Sequence, residues 1–143
     1  MPNAVGMAAG KHILVVNDTQ EILDLFRMIL EDEGYRVTAL GFAVEDLRRI
    51  IDAAPDLVIL DLVFDREYIG WQTLQKMKMH RETEKIPVLV CTAEVRKAQE
   101  IQGYLTEKGV GLLLKPFDID DLISQVTRLL TDESSFAQPA PAK

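Results

Sequence analysis

The chain is poor in cysteine and has no long uncharged apolar run. Its 143 residues include one cysteine, Cys91, which therefore cannot form a disulfide within the chain. Acids or arginines interrupt every apolar stretch before it reaches the roughly 20 residues that span a bilayer. The first ten residues also lack the basic and apolar regions of a secretory signal. We therefore predict a soluble, cytoplasmic protein without membrane contact.

Positive charge is also scarce. There are 16 Lys and Arg residues against 23 Asp and Glu residues, which gives a formal net charge of −7. Binding to a nucleic-acid backbone depends on Lys and Arg side chains that neutralise phosphates. We therefore expect no direct contact with nucleic acid.

Five apolar runs have the character of β-strands. Four of them are continuously apolar, as expected of parallel strands covered on both faces: residues 13–16, 57–60, 88–91 and 112–114. The remaining run, residues 35–40, includes Arg36 and Thr38, which predicts an edge strand.

Apolar residues recur at helical spacing between and after these strands. The five predicted helices carry their apolar residues over residues 22–30, 47–51, 71–77, 98–105 and 119–130. Asp18 or Thr19 is expected to cap the first helix, and Gly34 and Gly109 to end the first and the fourth. Such alternation predicts an α/β protein of the flavodoxin-like doubly wound (βα)5 type, with a five-stranded parallel sheet in the order 2-1-3-4-5.

The two ends of the chain differ from this middle. Residues 1–10 are rich in Ala and Gly, and residues 132–143 end in Ser, Ala and Pro with little to bury. We predict flexible segments there and one domain over residues 11–131. No effector domain is expected after Leu130, so output would come from binding another protein.

Polar residues end four of the predicted strands. Asn17 and Asp18 follow the first strand, Asp61 the third, Thr92 the fourth and Lys115 the fifth. In an open parallel sheet, ligands bind beyond the carboxyl ends of the strands, where the strand order reverses. These side chains are therefore predicted to converge on one cleft.

This pattern resembles the receiver domains of two-component response regulators over residues 11–131. The marks of the resemblance are Asn17-Asp18, Asp61, Thr92-Ala93 and Lys115-Pro116-Phe117, in that order. The resemblance implies a signalling domain and not an enzyme, in which Asp61 accepts a phosphoryl group from a histidine kinase or a phosphotransfer protein. The apolar side chain of Val63 cannot orient a hydrolytic water, which predicts slow autodephosphorylation.

The resemblance also implies a metal ion and roles for the remaining site residues. Mg²⁺ would be held by Asp18, Asp61 and the backbone carbonyl of Val63, and Asn17 would contact it through water. Mg²⁺ prefers hard oxygen ligands and keeps several waters, so two carboxylates suffice. Lys115 would supply a second cation, and the Thr92 hydroxyl would donate to a phosphoryl oxygen.

Three features depart from the family pattern. Asn17 stands where receivers usually carry an acid, which predicts weaker Mg²⁺ binding with phosphorylation retained, unless Asn17 only ends the strand in a turn. The loop after Asp61 is longer than usual, and Asp65 within it could approach the metal, although a solvated carboxylate is the more ordinary reading. Leu112 occupies the usual aromatic switch position, so switching would be muted unless Tyr104 substitutes.

Partner surfaces follow from the same resemblance. The face formed by the fourth helix, the fifth strand and the fifth helix is the candidate surface for a downstream protein target, and a homodimer is also possible. Lys76, Lys78, His80 and Arg81 are predicted to form a solvated basic patch at the end of the third helix.

A second function remains open. In a pseudo-receiver the fold survives as a binding module, but the phosphorylation chemistry is lost. Asn17, Leu112 and the altered loop favour this alternative. Asp18, Asp61, Thr92 and Lys115 favour phosphorylation.

Overall fold

A parallel β-sheet forms the centre of the molecule. The computed structural model describes residues 10–41, 47–63 and 68–131. The strands are β1 (His12–Val16), β2 (Arg36–Leu40), β3 (Leu57–Leu60), β4 (Val88–Thr92) and β5 (Gly111–Leu114). They pair in parallel in the order β2-β1-β3-β4-β5. The predicted fold class and sheet order are thus confirmed, and β2 is an edge strand.

Helices connect the strands and cover both faces of the sheet. They are α1 (Gln20–Asp32), α2 (Arg48–Ala53), α3 (Ile69–Met79), α4 (Val95–Glu100), α5 (Gln102–Glu107) and α6 (Ile119–Thr131). No helix in the described part of the chain is long and apolar enough to cross a membrane.

The prediction of one continuous fourth helix is wrong, because α4 and α5 are separate segments. Ile101 lies between them with φ −102° and ψ 8°, outside the helical region. Its N–H still donates to the carbonyl oxygen of Lys97, and its own carbonyl oxygen accepts from Leu105. The interruption is therefore a local distortion, close to the flexible backbone of Gly103. The predicted fifth helix corresponds to α6.

Two apolar clusters lie on opposite faces of the sheet because side chains alternate along each strand. Ile13 and Val15 belong to the cluster that includes residues of α1 and α6. Leu14 and Val16 belong to the cluster that includes residues of α2, α3 and α5. Since both faces are buried, the strand ends are held firmly relative to one another.

The predicted end of the first helix is confirmed. Gly34 follows α1 with a positive φ of 97°, its N–H donates to Glu31, and the N–H of Tyr35 donates to Leu30. This is the Schellman arrangement that glycine permits without strain. Gly109 ends α5 in the same way, with φ 70°.

The ends of the chain lie largely outside the described residues, as do residues 42–46 and 64–67, which include Asp65. Gly10 is described. Its N–H donates to the carbonyl oxygen of Gly34 over 3.0 Å, and its carbonyl oxygen accepts from the Arg36 side chain over 2.9 Å. Residues 1–9 and 132–143 are not described further.

Lys78 does not belong to a solvated basic patch, and that prediction is wrong for this residue. Its side chain is buried, and the amine donates to the carbonyl oxygens of Glu84 and Ile86, each over 3.0 Å. The lysine therefore ties α3 to the turn before β4. Burial, with a smaller contribution from Lys108, lowers the pKa of Lys78 from 10.5 to about 8, although Glu84 acts in the opposite direction.

This lowered pKa predicts that stability rises with pH. Between about pH 8 and pH 10.5 the unfolded chain holds the Lys78 proton while the folded chain has released it. We expect Lys78 to add about 2 kcal/mol to the free energy of unfolding between pH 7 and pH 10. Urea unfolding across this range measures the free energy of unfolding of the wild type and of Lys78→Met. Other titrating groups contribute equally to both proteins, so the difference between the two free energies reports Lys78 alone. Parallel pH profiles for the two proteins would contradict the prediction.

Candidate functional site

The first and third strands bring two of the predicted site segments to the same edge of the sheet. Val16 of β1 pairs with Leu60 of β3, so Asn17-Asp18 and Asp61 leave neighbouring strands at the same level. This edge is the point where the strand order reverses, between β1 and β3. The two segments therefore border one cleft.

The fourth and fifth strands bring the other two predicted residues to this edge. Thr92 is the last residue of β4 and pairs with Leu114 of β5. The backbone N–H of Lys115 then donates to the carbonyl oxygen of Thr92 over 2.9 Å. Thr92 thus ends its strand, whereas the sequence analysis placed it just beyond.

Asp61 and Lys115 are in direct contact. The Lys115 ammonium Nζ lies 2.9 Å from Oδ2 of Asp61. The side chain of Lys115 is 26% exposed and that of Asp61 is 16% exposed. The other carboxylate oxygen, Oδ1, accepts from the backbone N–H of Val63 over 3.1 Å. Residues from two different strand ends therefore hold this carboxylate in place, although water still reaches it.

Asn17 and Asp18 differ in their surroundings. Asn17 is 5% exposed, and its Oδ1 accepts from the backbone N–H of Thr19 over 2.9 Å. This is the turn that the sequence analysis gave as an alternative role for Asn17. Asp18 is exposed, and the Thr19 hydroxyl is 3.4 Å from its Oδ1. Thr19 occupies the N-cap of α1, but its side chain makes no capping hydrogen bond.

The acidic content of the site is low. Among the described residues, no three His, Cys, Asp or Glu side chains come together as a metal-binding group. Asp18 and Asp61 nevertheless supply two carboxylates at adjoining strand ends, which is the donor chemistry that Mg²⁺ uses when it keeps several waters. The side chains present therefore fit a partly hydrated Mg²⁺.

Thr92 is fully buried at the end of β4. Its Oγ1 accepts from the backbone N–H of Glu94 over 3.0 Å, just before α4 begins. The hydroxyl therefore links the end of β4 to the start of the next helix. Cys91, next to it in the strand, is buried, and burial raises the pKa of its thiol to about 12, so this thiol is not a nucleophile at neutral pH.

Gly70 is a site residue that the sequence analysis missed. It is buried in the first turn of α3, and a Cβ built on it would overlap the backbone carbonyl oxygen of Asp61. The next residue, Trp71, donates its backbone N–H to the carbonyl oxygen of Leu62 over 3.2 Å. The sequence signal that could have identified this close approach is a glycine immediately before the predicted third helix.

Leu112 and Tyr104 contribute packing. Leu112 is half-buried against the apolar cluster on the α3 face, together with Tyr104 and Trp71. The Tyr104 ring meets the Trp71 ring edge-on, with 5.0 Å between centroids. Burial raises the pKa of Tyr104, and Glu107 acts in the same direction.

The comparison with protein families gives one match that covers most of the chain. The model described as "Response regulator receiver domain" matches residues 13–127. The chain belongs to this family. This match confirms the family predicted from Asn17-Asp18, Asp61, Thr92-Ala93 and Lys115-Pro116-Phe117, and the chain is called the receiver domain below.

Curated relatives support the assignment. The receiver domain is 31% identical over 129 residues to the DNA-binding dual master transcriptional regulator RpaA of Synechocystis sp., which covers 90% of this chain and 52% of RpaA. It is 30% identical over 135 residues to the transcriptional regulatory protein ResD of Bacillus subtilis, covering 92% of this chain and 54% of ResD. The chain thus spans about half the length of these relatives.

Solved structures show the same architecture. A CheY-like response regulator receiver domain protein from Methanospirillum hungatei has a TM-score of 0.75 and 26% identity, over 88% of this chain and 98% of that one. The response regulator protein TrrA of Thermotoga maritima, in complex with Mg(2+)-BeF, has a TM-score of 0.71 and 25% identity, over 84% of this chain and 99% of that one.

Proposed function

We propose that this receiver domain accepts a phosphoryl group on Asp61 from a histidine kinase or a phosphotransfer protein, and signals by binding another protein. The observation that carries the proposal is the 2.9 Å contact between the Lys115 ammonium and Asp61. It places a fixed cation beside a partly exposed carboxylate at the reversal point of the sheet. That is the arrangement a carboxylate nucleophile requires for phosphoryl transfer.

The chemical step uses the Asp61 carboxylate as the nucleophile. An oxygen of Asp61 forms a bond to phosphorus as the bond from phosphorus to the donor's imidazole nitrogen breaks, and the nitrogen keeps the electron pair. Charge accumulates on the phosphoryl oxygens during transfer, and Lys115 is placed to stabilise it. Bound Mg²⁺ would supply further positive charge there, held by Asp18, Asp61 and the carbonyl oxygen of Val63, with Asn17 reached through water.

Thr92 connects the chemistry to the rest of the domain. Its oxygen now accepts from the N–H of Glu94 at the start of α4. After transfer, the hydroxyl can donate to a phosphoryl oxygen, which gives the phosphorylated state a contact that the free state lacks. We propose that a shift at the start of α4 follows.

The proposed output surface comprises α4, α5, β5 and α6, because α4 and α5 together make up the predicted fourth helix, and β5 and α6 are the predicted fifth strand and fifth helix. Leu114 of β5 is 38% exposed on this part of the sheet. We propose this surface as the face for a downstream protein target or for a second copy of the domain. The proposed domain extends over residues 11–131. RpaA is described as DNA-binding, but this chain covers only 52% of RpaA, and its net charge of −7 disfavours direct nucleic-acid contact.

The pseudo-receiver alternative is supported by Asn17. Its oxygen takes part in the turn with Thr19, and it adds no charge for a metal. The two functions differ in one measurable property, which is the uptake of a phosphoryl group.

Incubation with acetyl phosphate and Mg²⁺, followed by intact mass measurement, tests the proposal. We expect one added phosphoryl group on the wild type and none on Asp61→Asn, because the amide is not a nucleophile. Rapid desalting, which removes acetyl phosphate but keeps Mg²⁺, then gives the lifetime of the phosphoryl group, which we expect to exceed seconds because the apolar Val63 side chain cannot orient a water. An unmodified wild type would establish the pseudo-receiver.

Replacing Asn17 with Asp is expected to tighten Mg²⁺ binding by about tenfold, because one negative charge is added next to a divalent ion. The Asp side chain keeps an oxygen for the turn with Thr19, so the fold should tolerate it. Isothermal calorimetry of Mg²⁺ binding measures the change, with Asn17→Ser as a control that retains a turn acceptor but adds no charge. Equal affinities for Asn17→Asp and the wild type would assign Asn17 to the turn alone.

A further inference from the structure

The first turn of α3 packs directly against the backbone of the phosphoacceptor. Gly70 leaves no room for a Cβ beside the Asp61 carbonyl oxygen, and Trp71 donates its N–H to the Leu62 carbonyl oxygen over 3.2 Å. The position of Asp61 therefore depends on where α3 begins.

The start of α3 has little support from the helix itself. Its N-cap residue, Tyr68, makes no side-chain capping hydrogen bond, and the first turn contains no acidic residue to complement the helix dipole. The aromatic rings of Tyr68 and Trp71 instead contact a lysine of α4.

Lys97 lies beside both rings. Its Nζ is 4.9 Å from the centroid of the Tyr68 ring and 5.3 Å from that of Trp71, and the lysine side chain is only 20% exposed. Cation–π contacts strengthen when the cation is withdrawn from water. Glu100 also lies 3.9 Å away, but it is 59% exposed, so solvent weakens that ion pair.

The same lysine lies on the helix that follows β4. α4 follows Glu94 directly, and the N–H of Glu94 donates to Thr92 Oγ1 over 3.0 Å. Lys97 therefore joins the helix that follows Thr92 to the helix that follows Asp61.

We propose that Lys97 is a positioning residue for the phosphoacceptor: its ammonium fixes the start of α3, and through it the backbone of Asp61, relative to α4. This inference rests on the proposed function, because it concerns the rate at which Asp61 reacts. Lys97 acts through Tyr68 and Trp71 and needs no contact with the phosphoryl group.

The test compares initial rates of phosphorylation by acetyl phosphate with Mg²⁺. We expect Lys97→Met, which keeps the apolar part of the side chain but removes the charge, to react about fivefold more slowly. Lys97→Arg retains a cation over the rings and should react within about twofold of the wild type. Glu100→Gln, which removes only the ion pair, should match the wild type.

Lys108→Met is the matched control. Lys108 also lies over an aromatic ring, 5.8 Å from the centroid of Tyr104. Tyr104 packs edge-on against Trp71, so Lys108 reaches the start of α3 only through a second ring, whereas Lys97 lies over Tyr68 and Trp71 directly. The loss of Lys108 should leave the rate unchanged. Urea unfolding of each variant shows whether a slow reaction is caused by poor folding. Lys97→Gln is a second variant without the charge and should react as slowly as Lys97→Met.

A second readout reports the positioning itself. Amide hydrogen exchange of Trp71 should accelerate in Lys97→Met, because its hydrogen bond to Leu62 loses support, whereas exchange in α1 should not change. Wild-type rates in Lys97→Met, or equal slowing in Lys97→Met and Lys108→Met, would overturn the inference. A wild type that takes up no phosphoryl group would instead overturn the proposed function and the positioning role with it.

Discussion

Replacing Gly70 with alanine is expected to lower the free energy of unfolding by about 2–3 kcal/mol, which is the upper range for overpacking a closed site. The added Cβ would overlap the Asp61 carbonyl oxygen and approach the Cα of Leu62. Both are backbone atoms of the strand end and its continuation, so they cannot move aside as a flexible side chain does. Either α3 retreats or Asp61 is displaced, and we expect phosphorylation to be slowed as well.

Gly103 provides a matched control within the same fold. It also lies in a helix, α5, but a Cβ built on it meets nothing within 4 Å. Gly103→Ala should therefore stabilise the domain by about 0.5–1 kcal/mol through its higher helix propensity. Urea unfolding of both variants measures effects of opposite sign. If Gly70→Ala were as stable as Gly103→Ala, the close packing of α3 on Asp61 would be refuted.

Replacing Lys115 with methionine is expected to slow phosphorylation of Asp61 by roughly ten- to hundredfold. The ammonium is 2.9 Å from the carboxylate and is the charge that the chain itself places against the transferring group. We expect a smaller effect than in water-excluded sites, because Lys115 is 26% exposed and solvent screens its charge. Initial rates with acetyl phosphate, followed by intact mass, measure the effect.

Lys115→Arg separates charge from geometry. It retains the positive charge, but its planar guanidinium cannot occupy the place of a compact ammonium. An intermediate rate is expected. Both variants should unfold near the wild-type midpoint, since a partly exposed ion pair contributes little to stability. Unchanged phosphorylation in Lys115→Met would remove Lys115 from the proposed chemistry.

The sheet and the approximate place of the site could be predicted from local sequence. Continuous apolar runs identified buried strands, and the rule that crossovers are right-handed limited their order. Once that order was known, the polar residues at the strand ends had to lie at one edge. The contact between Asp61 and Lys115, 54 positions apart, follows from topology and not from any local pattern.

Other features depend on packing that local sequence does not encode. Lys78 occupies a position that reads as exposed, and its burial arises only when the turn before β4 presents the carbonyl oxygens of Glu84 and Ile86. The role of Gly70 requires knowing how closely α3 approaches β3. The contacts of Lys97 depend on the spacing between α3 and α4. That spacing could not be predicted from a sequence pattern that indicated one continuous fourth helix.

The place of Trp71 gives the domain a built-in optical probe. It is the only tryptophan in the chain, and it lies between the phosphoacceptor backbone and the Lys97 ammonium. Selective excitation of indole therefore samples a single locality, so its emission can follow events in the cleft in real time without a dye or a label.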